Sequence, residues 1–118
     1  MARLRVILEQ GEGVPFPPFD RYAMYQESQG KSLAELLESF AQLRRQNLAD
    51  LQALNLSAEQ LQSRGTHPDL GTVTLQQLLS AWAVHDLGHL HQVAKAMAYQ
   101  YRHEVGPWNK LLTILPKE

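Results

Sequence analysis

The chain has 118 residues, a length that suits one domain with a real core, since a chain of this size buries roughly two-thirds of its unfolded surface. Eleven Lys and Arg stand against twelve Asp and Glu, for a net charge of -1, and with no basic stripe to neutralise phosphates a nucleic-acid partner is excluded. The lack of cysteine excludes disulfides, thiolate metal sites and a cysteine nucleophile, and the one early apolar run, Val6-Ile7-Leu8, is too short for a signal sequence or a membrane span, so a soluble cytoplasmic protein is expected.

Residues 2–10 carry Leu4, Ile7 and Leu8 at helical spacing and are stopped by Gly11 and Gly13. This helix opens in mid-pattern without a capping residue, which predicts an element that once continued upstream. The segment GEGVPFPPFD holds three prolines and reads as extended loop, with Phe16 and Phe19 available to pin it. Residues 21–29 predict a short helix capped by Asp20 and ended at Gly30.

Ser32 with Glu35 forms a capping box that opens a long helix over residues 33–55, whose apolar positions, Leu36, Leu37, Phe40 and Leu43 among them, make one stripe. Arg44-Arg45 is a solvated pair on that helix. Ser57 with Gln60 repeats the box for a short helix, and Leu56 with Leu61 supplies a hydrophobic staple. Residues 64–72 read as a connecting loop, from two glycines and a proline. Thr74 with Gln77 gives a third box, starting the second long helix at Leu75, and Gly106-Pro107 closes it before a last helical piece over residues 107–115. No β-alternation is evident, so the expected class is all-α, an antiparallel helical bundle in one domain spanning residues 1–118.

The chemistry concentrates in His85-Asp86-Leu87-Gly88-His89. Residues four apart on a helix share a face, so the two imidazoles can point into one space, as a divalent metal requires of a pair of ligands. At about 100 degrees per residue, Leu75, Leu78, Leu79, Trp82, Val93, Ala96 and Met97 make one broad face, with Asp86 and His89 near its middle and His85 at an edge. His91 points away and reads as a surface residue. The competing reading is a buried hydrogen-bond network of histidines and aspartate holding helices in register. His67 and His103 stand about three and four turns away along the chain, too far for a third ligand, whereas Glu27, Glu35, Glu38, Asp50 or a second chain remain open as its source. A match to the His-Glu-x-x-His helix of zinc proteases would cast Asp86 as the base, but aspartate is a methylene shorter than the glutamate that chemistry uses.

The succession PFPPFD, RYAMYQ, GKSLAELLESFAQLRRQNLADL and RGTHPDLGTVTLQQLLSAWAVHDLGHLHQVAKAMAYQYRHEVGPWNKLL resembles the DinB/YfiT-like metalloenzyme family, over nearly the whole chain. The resemblance implies a four-helix bundle with nickel or zinc held by three histidines. Two of these match His85 and His89, and Asp86 would orient a ligand or act as a base. The third would lie on an earlier helix, upstream of MARLRVILEQ, so the chain resembles an N-terminally shortened member, a partial bundle with an incomplete histidine site. Characterised members imply a metal-dependent thiol S-transferase, or a related hydrolase or isomerase, acting on a low-molecular-weight thiol and a small electrophile. The alternative is a non-catalytic helical dimerisation module. Loss of a bundle helix would strip an apolar face, and a homodimer packed through Leu4, Ile7, Leu8 and that face is the expected remedy.

Overall fold

The computed structural model describes residues 1–116, and the chain divides into two compact units, Met1–Leu78 and Leu79–Glu118. The first unit opens with helix α1, Ala2–Gln10, which buries Leu4 and Ile7 and ends at Gly11 with φ of 61°. A single 3-10 turn, Gly11–Gly13, leads into the proline segment. There Phe16 is buried and Phe19 is 75% exposed, so only the first of the two phenylalanines pins the loop.

The expectation of an all-α chain is overturned between residues 64 and 74. Strands β1, Arg64–His67, and β2, Gly71–Thr74, pair antiparallel, with Arg64 opposite Thr74 and His67 opposite Gly71. The fold class is therefore mixed, helices with a two-stranded sheet. The reason is local: Thr66, Thr72, Val73 and Thr74 are β-branched, and Pro68-Asp69 starts a tight turn closed by Gly71 at φ of 74°. The Phe16 amide donates to the Thr66 carbonyl at 2.9 Å, Thr66 Oγ1 donates to the Glu12 carbonyl at 2.9 Å, and Thr72 Oγ1 donates to Glu12 Oε1 at 2.8 Å. These bonds tie the hairpin to the turn after α1. Gly65 makes the packing possible: a Cβ there would lie 2.7 Å from Ile7 Cγ1 and 3.0 Å from Phe16 Cε1.

The remainder of this unit holds helix α2, Ala23–Ser28, helix α3, Leu33–Ala53, and helix α4, Ala58–Leu61. Asp20 Oδ1 accepts from the amides of Tyr22 and Ala23, setting the start of α2. The capping boxes at Ser32–Glu35 and Ser57–Gln60 are both formed. The apolar stripe of α3, however, is solvent-facing at Leu33, Leu37, Phe40 and Leu43.

Helix α5, Leu75–Tyr99, starts where the third capping box puts it: the Thr74 amide donates to Gln77 Oε1 at 2.8 Å, and the Gln77 amide donates to Thr74 Oγ1 at 3.2 Å. Leu75 is fully buried, and its amide donates to the Ser63 carbonyl at 2.9 Å. The helix gives way to turns after Tyr99, short of the expected stop at Gly106, and the closing helical piece is the 3-10 segment Gly106–Leu111, with Pro107 in its first turn. Within the second unit, residues 113–116 lie beside α5 and share a cleft of about 320 Å³ with His91, Lys95 and Tyr99, and Leu115 is buried.

The four-helix bundle is overturned with the all-α class. Of the five α-helices among the described residues, only α3 and α5, with 21 and 25 residues, have bundle length, and the others run from 4 to 9. Leu4 and Ile7, expected at a dimer contact, are 3% and 2% exposed inside their own chain. The sequence stretch that supplies their cover is the hairpin, the element that helical periodicity does not reveal.

Candidate metal centre

His85, Asp86 and His89 lie on consecutive turns of α5 in the second unit. No proline interrupts the helix, and Gly88 has open space around it, so the regular spacing is preserved through the motif. The two imidazoles meet edge to face, with ring centroids 4.4 Å apart and planes at 83°. The spacing argument therefore holds at the level of side chains: both rings share one side of the helix.

His89 Nδ1 lies 2.9 Å from Gln92 Oε1. An amide oxygen only accepts, so this contact forms in the tautomer with the proton on Nδ1, in which Nε2 carries the ring's free lone pair. That is the tautomer a metal-ligating histidine uses, with the far nitrogen anchored by an acceptor. Gln92 was not among the residues singled out from sequence. Its signal was its place three residues after His89, on the same helix face, in a residue type that is an orienter and not a ligand.

Both histidines are exposed and Asp86 is half-buried. The stripe they interrupt is covered only at its start: Leu75 is buried, Leu78, Leu79 and Trp82 are half-buried, and Val93 and Met97 face solvent.

Four of the other acidic and histidine candidates have local roles. His67 Nδ1 accepts from the Asp69 amide at 3.1 Å, and its ring packs edge-on against Phe16, so it belongs to the hairpin turn. Glu35 is engaged in the α3 capping box. Glu38 pairs with Arg45 at 3.2 Å, and Asp50 Oδ1 accepts from Gln46 Nε2 at 2.7 Å. Among the described residues no group of three or more His, Cys, Asp or Glu side chains is placed to hold an ion. Two neighbouring imidazoles are a donor type that divalent ions take, and the described residues place no third His, Cys, Asp or Glu with them as a metal-holding group.

A helical chain with a two-stranded sheet and a paired-histidine helix defines the class, a candidate metal-binding domain. The family model of the DinB superfamily matches residues 1–93, and the chain belongs to that superfamily. The match takes in the hairpin, His85, His89 and Gln92. No curated protein matches the sequence. No helix among the described residues is long and apolar enough to cross a membrane.

Proposed function

We propose that this DinB-superfamily chain binds one divalent nickel or zinc ion through His85 and His89, the remaining positions being filled by water, by Asp86 or by a donor from a second copy. The observation that supports the reading is the His89–Gln92 contact next to the His85 ring, the kind of hydrogen bond that orients a ligating imidazole. When bound, the ion would lower the pKa of a coordinated low-molecular-weight thiol and so favour its thiolate, the form that attacks a small electrophile. In that setting His85 and His89 hold the ion, Gln92 orients His89, and Asp86 receives the proton released by the thiol or a water. A cytoplasmic location, where such thiols are abundant, suits this chemistry. The alternative, a buried histidine network in a non-catalytic module, is disfavoured by the exposure of both imidazoles.

The test is metal content of tag-free protein, with His85→Ala and His89→Ala beside the wild type. About one nickel or zinc per chain, lost in each variant, is the expected result. Wild-type protein that carries no metal and takes up none on addition would overturn the reading.

A further inference from the structure

The cleft of about 320 Å³ between α5 and the turn that follows the closing 3-10 segment lies wholly within the second unit. His91, Lys95 and Tyr99 stand four residues apart along α5 and form its helical wall. The other wall is a turn in which the Leu115 amide donates to the Leu112 carbonyl at 3.3 Å. That turn brings buried Leu115 and half-buried Ile114 into the lining, with exposed Thr113 beside them.

Charge and apolar surface are divided between the two walls. Lys95 brings a positive charge that forms no ion pair among the described residues, and none of the described lining residues is Asp or Glu. Arg102 adds a second cation at the Tyr99 end: its Cζ lies 4.1 Å from the centre of the Tyr99 ring. Its Nη1 also donates to the Tyr99 carbonyl at 3.0 Å, so the guanidinium is held there. We propose that the cleft binds a small organic carboxylate, with the anionic end at Lys95 and the hydroxyls of Tyr99 and Thr113 and the apolar body against Ile114 and Leu115. The volume is at the lower end of the range for ligand sites, so the body is the size of one aromatic ring or a short aliphatic chain. An inorganic anion would leave the apolar wall unused, and a neutral molecule would leave the ammonium without its counter-charge. The site is separate from the metal reading, since none of the residues it uses is a proposed ligand or orienter.

Benzoate, benzamide and acetate separate these contributions when each is titrated into the isotope-labelled chain and its amide resonances are followed. Benzoate is expected to shift resonances of residues 91–99 and 112–115 and to saturate. Benzamide, which keeps the ring and lacks the charge, should bind about five-fold more weakly, the upper end of what an exposed ion pair contributes. Acetate, which keeps the charge and lacks the ring, should not saturate over the same concentrations. Lys95→Met should remove the preference for benzoate over benzamide and Lys95→Arg should keep it, both with unchanged helical circular dichroism, because Lys95 is exposed. His85→Ala with His89→Ala is expected to bind benzoate as the wild type does, so failure of this site and failure of the metal site are read separately. Benzoate shifts that never saturate or that scatter over both units, a benzoate preference undiminished in Lys95→Met, or benzoate binding lost with the two histidines, overturns the proposal.

Discussion

Gly65 lies directly against Ile7: a methyl group on its α-carbon would stand 2.7 Å from Ile7 Cγ1, with Phe16 Cε1 at 3.0 Å on the other side. Two segments about sixty residues apart meet there without a side chain between them. Gly65→Ala gains about 0.4–1 kcal/mol by restricting the unfolded chain, but overpacking a closed site costs about 1–3 kcal/mol. Both Ile7 and Phe16 are buried and cannot withdraw freely, so the second effect wins and the variant is expected to be less stable by about 1–2 kcal/mol. Urea unfolding checks this, and a double-mutant cycle sharpens it. Ile7→Ala alone should cost about 2–5 kcal/mol, and Gly65→Ala added to it should cost distinctly less than in the wild-type background. Strict additivity would mean that the two residues do not meet.

The start of α3 should respond to acid. Ser32 Oγ and the Ser32 amide both donate to Glu35 Oε2 at 2.7 Å, and the Glu35 amide donates back to Ser32 Oγ at 3.3 Å. The Ser32 side-chain bond, then its backbone bond, and then the nearby Lys31 charge hold the Glu35 carboxyl below its ordinary range. Its folded-state value is thus lower than its unfolded value. The contribution to helix stability is present above the ordinary carboxylate range and is lost as pH falls through the folded value. Protection of the first-turn amides of α3, taken relative to the intrinsic exchange rate at each pH, is expected to fall on acidification below pH ~4. Glu35→Gln, which keeps an acceptor for the Ser32 amide, should abolish this pH dependence while leaving the helix start intact. An unchanged acid response in that variant would assign it to another group.

Short-range chemistry was readable and long-range closure was not. The boxes at Ser32, Ser57 and Thr74 are written within four residues each, so they fix helix starts whatever the rest of the chain does. The hairpin was missed because four-residue strands are too short to show alternation, and the proline and glycines that mark its turn also mark a plain loop. Periodicity identified the stripes of α3 and α5 but carries no information on what covers them, which is why residues at the same helix angle, Leu75 and Val93, differ so widely in burial. The His85–His89 pairing was legible because it depends on helix pitch alone. The Gln92 contact was equally local, yet no ligand motif includes a glutamine.

That glutamine supplies a test of the proposed metal site that leaves both histidines in place. Gln92 Oε1 lies 2.9 Å from His89 Nδ1 and, accepting a proton there, would restrain the imidazole for ligation through Nε2. Gln92→Leu keeps the size and removes the acceptor, so His89 becomes free to rotate and to adopt the other tautomer. Loss of such an orienting partner typically weakens metal binding about 10–100-fold. The affinity for added zinc, measured by competition with a chromogenic chelator, should fall by that factor while thermal stability of the metal-free chain stays within about 0.5 kcal/mol of wild type, because the site is at the surface. Gln92→Glu restores an acceptor and adds negative charge, and is expected to bind at least as tightly as wild type. A purely structural role for Gln92 would lower stability in both variants and leave the zinc affinity of the folded protein unchanged.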